Sequence, residues 1–213
     1  MRANEPHAYP TVTSDYVFRG VSQSNGDPTI QGGVDYLHSS GVFGGLLAAR
    51  IDYPRNAFGV DAGRVELDMY LGYGRALGRA WNWDAALLAY EYPDANFDRN
   101  YRELAGNLHY RDLARFGLTF SDDAAGGHAS GWTAEVELRR PFGRRAQLSG
   151  SVGRYAFERS DWQDYLYWDV GVSATLGAAT LDLRYFDTGN EAATFAGTTL
   201  TGARVVASVS IGF

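Results

Sequence analysis

The amino-acid sequence predicts an all-β fold, a transmembrane antiparallel up-and-down β-barrel of about twelve strands. Three observations predict it. Apolar residues recur at every second position along nearly the whole chain, short and long connections alternate between these segments, and charge gathers on the face opposite the apolar one. No run approaches the roughly 18 apolar residues that a spanning helix needs; Ala85 to Tyr90 is among the longest. A barrel crosses lipid without such a run, because its backbone groups pair strand to strand and only alternate side chains must be apolar.

Taken in order, the period-two segments are Ala8 to Arg19, Thr29 to Leu37, Val42 to Asp52, Val65 to Ala76, Ala80 to Tyr90 and Tyr101 to Tyr110. The second half adds Ala114 to Phe120, Gly131 to Pro141, Ala146 to Phe157, Tyr165 to Leu176, Ala178 to Phe186 and Ala203 to Phe213. The last is the plainest, with Val205, Ala207, Val209, Ile211 and Phe213 on one face and Val206, Ser208, Ser210 and Gly212 on the other. The connections at His38 to Gly41, Leu77 to Arg79, Arg111 to Leu113, Phe142 to Arg145 and Gly177 are short. Those at Gly20 to Pro28, Tyr53 to Arg64, Glu91 to Asn100, Ser121 to Ser130, Glu158 to Asp164 and Asp187 to Gly202 are longer. Strict alternation sends all short turns to one rim and all long loops to the other, which implies an even strand number and both termini at the short-turn rim. Residues 1–213 form one domain, with 1–7 a short segment on the periplasmic side.

A soluble barrel would be apolar inside. Here Leu67, Met69, Leu71, Val136, Leu138, Val170, Val172, Val209 and Ile211 form too long an apolar face to be left in water, so they are expected to point outward into lipid. Trp81, Trp83, Tyr73, Tyr110, Trp132 and Phe213 sit near strand ends, where aromatic girdles meet headgroups. The expected location is the outer membrane of a Gram-negative bacterium. The opening Met1-Arg2-Ala3-Asn4-Glu5 has no apolar signal core, so an export signal is expected to have been removed. A net charge of -6 argues against a nucleic-acid partner. Cysteine is absent, which excludes disulfides and thiolate metal sites.

The run Thr13-Ser14-Asp15-Tyr16-Val17-Phe18-Arg19-Gly20-Val21-Ser22-Gln23-Ser24, with Gln31 to Tyr36 and Glu66 to Tyr73 after it, resembles the TorF-type porins, a proteobacterial family of uncharacterised outer-membrane proteins. The resemblance covers essentially the full chain and implies a transport role without naming a solute. Phe213 ending an alternating strand resembles the signal read by the outer-membrane assembly machinery.

The candidate functional residues are the inward charges. Arg184, Arg204, Arg19 and Arg50 fall on strands that neighbour one another once the barrel closes, whereas Glu66, Asp68, Asp84, Glu103, Glu135 and Glu137 fall on the opposite wall. Asp15, Asp35 and Asp182 interrupt the basic wall, Arg115 and Arg139 the acidic one, and Asp169 also faces inward. Opposed walls would set up a transverse field across a pore only roughly 24 Å in backbone diameter, from ~4.8 Å strand spacing and ~40° tilt. Small polar or zwitterionic solutes would pass. The same charges could instead pair with one another inside a sealed barrel that anchors a partner.

A lipid-modifying hydrolase is the remaining alternative, but no Gly-x-Ser-x-Gly elbow or His-Glu-x-x-His helix is present. His7 precedes the first strand, His38 lies in a turn, His128 in a loop and His109 in the lumen near the periplasmic end, where a hydrogen-bonded lumen residue is expected rather than a general base. Asp122-Asp123 with His128 is too loosely spaced for a metal site. No cofactor is expected. The long loops are acidic (Asp27, Asp61, Glu91, Asp94, Asp98, Asp122, Asp123, Glu158, Asp161, Asp164, Asp187 and Glu191 against Arg55, Arg64, Arg99 and Arg159), and membrane lipid and lipopolysaccharide are the expected surroundings.

Overall fold

The computed structural model describes residues 4–54, 61–159 and 161–213, so Met1 and the loop charge Arg55 lie outside the described residues. The chain forms β1 (Pro6–Thr13), a small hairpin of β2 (Val17–Phe18) and β3 (Val21–Ser22), then β4 (Thr29–Leu37), β5 (Val42–Arg50), β6 (Val65–Leu77), β7 (Trp81–Glu91) and β8 (Tyr101–Tyr110). It continues through β9 (Ala114–Ser121), β10 (Gly131–Phe142), β11 (Ala146–Phe157), β12 (Tyr165–Leu176), β13 (Ala179–Thr188), a helical turn α1 (Ala193–Ala196) and β14 (Arg204–Ile211). All strands except β2 and β3 join one closed barrel of twelve, each antiparallel to its sequence neighbours, and β1 closes it by pairing with both β4 and β14. Closure leaves no open edge, which lipid requires.

Side-chain alternation decides what each face meets. Leu71, Leu87, Leu118 and Val205 are 61–65% exposed on the outer face, while Glu66 and Glu103 on the inner face are 3% exposed. Leu67, Met69, Leu138, Val170, Val172, Val209 and Ile211 are exposed as expected, and Val136 shares their face through its register with Phe116 and Val152. The short turns and both termini share one rim, where Phe213 N–H donates to the Ala8 carbonyl at 2.9 Å. The tightest turn is Gly177-Ala178. Gly177 adopts φ 66 between the paired Leu176 and Ala179, the positive-φ first position of a type II′ hairpin.

The first predicted strand is corrected. The wall strand ends at Thr13, not Arg19, and begins at Pro6, so His7 lies within it. After Thr13 the chain turns into the lumen, because Asp15 collects hydrogen bonds from the hydroxyls of Ser22 (2.6 Å) and Ser24 (2.9 Å), and Thr13 Oγ1 donates to the Asp15 carbonyl at 2.6 Å. These local bonds compete with ladder pairing. The other wall-strand ends coincide with the expected ones or move by one or two residues.

Candidate functional site: the inner hairpin and the lumen it divides

The inward-folded segment builds the site. Phe18 pairs with Val21 across the turn Arg19-Gly20, whose φ values of 48 and 76 define a type I′ hairpin. Gly20 is required twice. Its φ is left-handed, and a Cβ there would lie 2.1 Å from Thr188 Cγ2 on the wall. Arg19, held in a conformation uncommon outside glycine, is fixed by its side chain: both guanidinium nitrogens donate to Glu103 on β8, at 2.6 and 2.8 Å. The same guanidinium lies 4.6 Å from the Phe18 ring centre and 5.0 Å from that of Tyr155. Arg204 donates to Asp15 at 2.8 Å, the Tyr16 hydroxyl to Glu66 at 2.7 Å, and the Tyr53 hydroxyl to Gln23.

Around this hairpin the external half of the lumen is packed. Every wall strand contributes a buried inward residue: Thr13, Thr29, Ala49, Glu66, Tyr90, Glu103, Ser121, Thr133, Tyr155, Tyr165, Thr188 and Val206. Tyr90 and Tyr101 stack at 4.4 Å with rings 10° apart. Ser22 and Ser24 in the hairpin are as enclosed as a protein core.

The periplasmic half differs. There the charged side chains remain partly open, Asp84 21%, His109 32% and Glu135 21%, so water reaches them. Asp84 accepts from Asn107 at 2.8 Å and meets His109; Arg115 spans Glu135 and Glu137; Arg139 joins Glu137 at 2.6 Å. Arg184 bonds Asp169, Asp182 and, at 2.8 Å, Ser149. Tyr70 donates to Asp35. Asp68 also faces inward, with its Oδ1 buried and lacking a hydrogen-bond partner among the described residues.

Two expectations about the charges are corrected. Arg50 is not in the lumen: it is exposed, shares the outward face of Leu46 and pairs in register with outward Val65 at the long-loop rim. Nor do the remaining charges form two opposed walls. The arginines among them are held in local ion pairs, while Asp35 and Glu66 meet tyrosine hydroxyls, because a neighbouring strand stands about 4.8 Å away and the opposite wall several times farther. Arg19 reaches Glu103 only because the hairpin carries it across. His128 lies 3.8 Å from Asp123 and is largely exposed, and no group of three possible metal ligands occurs among the described residues.

The sequence reading missed the aromatic lining of the external mouth, where Tyr53, Tyr92, Arg99, Trp162 and Phe195 come together from different loops. Burial pushes the Tyr53 hydroxyl up to about 12 against the opposing pull of Arg99. Arg99 itself is held above its ordinary value: burial opposes the cation, and Tyr53 and Tyr92 outweigh it. Tyr155 and Tyr165 were legible in part, since each shares strand phase with inward Gly153 and Asp169, respectively.

A closed twelve-strand antiparallel barrel with an apolar belt, a charged lumen and an inward-folded segment defines an outer-membrane barrel of porin-like architecture. The chain belongs to a family of bacterial proteins of unknown function (Gcw_chp), matched over residues 6–213. No curated protein matches the sequence. Among solved structures it is similar to the KdgM porin (7% identity, TM-score 0.60, 97% of this chain and 99% of that one). It is equally similar to the NanC porin (8%, 0.60, 98% and 99%) and less so to LpxR from Salmonella typhimurium (9%, 0.51, 97% and 99%). At such identities the likeness is one of fold.

Proposed function

We propose that this protein is an outer-membrane channel for small polar or zwitterionic solutes, closed at rest by the segment 14–28 and passive when that segment moves aside. One observation carries the reading: the element filling the external half is a loop tethered by polar contacts of side chains and backbone, whereas the wall below it encloses a partly open lumen of alternating cations and anions. Water can replace polar tethers at modest net cost, so the closure is reversible. A solute carrying both charges exchanges with the local ion pairs of the lower lumen. The porin-like fold and the TorF-type motif of residues 13–24 support the same reading.

The packed ring contributed by all twelve strands favours a second reading, a sealed barrel that anchors a partner. Liposome swelling separates the two. Vesicles carrying the protein are expected to admit an amino acid or a monosaccharide faster than a trisaccharide. Uptake no faster than in empty vesicles, by both the intact chain and a variant shortened in segment 14–28, overturns the channel.

Catalysis is not part of this reading. His38 Nδ1 lies 2.8 Å from Ser40 Oγ, but it also accepts the Ser40 N–H, so the pair closes a turn at the periplasmic rim. The outward Arg50 at the external rim suits lipopolysaccharide phosphates. The 75% exposure of Phe213 suits recognition by the assembly machinery.

A further inference from the structure

Above the hairpin the external mouth holds a cavity of about 510 Å³, a size that accommodates one small organic molecule. Aromatic rings line much of it. Phe195 of α1 stands edge-on to Trp162 with centroids 4.9 Å apart, and Tyr155 and Tyr165 carry the lining toward the floor, 6.0 and 6.2 Å from Phe195. Such surfaces favour a flat apolar body.

One cation stands against them. The Arg99 guanidinium lies 4.1 Å over the Tyr53 ring and 4.2 Å over the Tyr92 ring, and its bond to the Ala62 carbonyl is a marginal 3.5 Å. Arg19, Arg115, Arg184 and Arg204 each hold a carboxylate; Arg99 has no carboxylate in ion-pair contact among the described residues. A cation without a carboxylate in an aromatic box selects an acceptor with negative charge. A saccharide fits less well, because its many hydroxyls would face rings and go unpaired.

We propose that this cavity binds an aromatic carboxylate, stacked on Phe195 and Trp162 with its carboxylate on Arg99. The inference deepens the channel reading, resting on it for the claim that this ligand is a transported solute; the binding itself requires no pore.

Isothermal calorimetry on the full chain in detergent, with 4-hydroxybenzoate as probe, tests it. Single-site binding is expected, at least about tenfold tighter than for neutral 4-hydroxybenzamide or for non-aromatic hexanoate. Arg99→Gln is expected to bring 4-hydroxybenzoate down to the amide's level, and Phe195→Leu to erase its advantage over hexanoate, both with barrels that keep their heat-modifiable gel mobility. No saturable heat, undiminished binding by Arg99→Gln, or hexanoate binding as tightly as the aromatic acid overturns the site. Conductance is recorded separately: binding without any pore leaves the site standing and removes the transport reading, while a pore without binding does the reverse.

Discussion

On the proposed channel function, Arg19 is the residue on which the closed state turns. Its backbone occupies a left-handed conformation, its guanidinium is spent on Glu103, and Glu103 is almost wholly buried beside the Tyr90 hydroxyl at 3.2 Å. Breaking such a pair by removing one partner leaves a buried charge uncompensated, at a cost of about 3 kcal/mol or more. That cost falls on hairpin docking, since the barrel's own ladder does not include Arg19. Arg19→Gln is therefore expected to raise the fraction of time spent conducting in planar bilayers while the folded barrel is retained. Gly20→Val should act in the same direction through sterics, because its Cβ would meet Thr188 Cγ2 at 2.1 Å. A closed, unchanged current from both variants would show that the hairpin does not control the lumen.

Among the elements, the turns and loop anchors set the rims. Gly177→Ala places a side chain at φ 66 and is expected to lower barrel stability by about 1 kcal/mol in urea titrations without changing strand count. The loop before β12 is anchored by Asp164, whose carboxylate accepts the Phe157 N–H at 3.0 Å and an Arg154 N–H at 2.7 Å. The Phe157 amide first, and Arg154 after it, hold this carboxyl below the usual aspartate range against the opposing effect of burial. A lowered folded-state value means the anchor is complete at neutral pH and is lost as pH falls through that value. The protection of the Phe157 amide relative to its intrinsic exchange rate should fall in acid, and in Asp164→Asn at neutral pH.

The wall strands were legible because alternation and loop length point to the same register. Arg50 was not, since Val42–Arg50 reads VFGGLLAAR, apolar or small on both faces, so its phase specifies neither. The turn inward at Thr13 was hidden for another reason: it depends on Ser22, Ser24 and Arg204 meeting Asp15, and Arg204 lies at the other end of the chain. The aromatic mouth was dispersed over several loops in the same way.

At the scale of the whole molecule the barrel is two chambers in series, a hydrated periplasmic half lined by paired charges and a packed external half filled by the chain's own segment 14–28. Twelve strands leave a backbone diameter of roughly 24 Å, too little to hold both that segment and a solute at one level. On the proposed channel function, opening and closing are therefore one event, the withdrawal of the segment. The most direct measurement is single-channel current in planar bilayers, comparing the intact chain with one in which residues 16–23 are replaced by a short Gly-Ser linker. Brief, rare openings of the intact chain and a steady, larger conductance of the shortened one are predicted. Equal currents from the two, or none from the shortened barrel once its fold is verified, would contradict a channel closed by its own hairpin.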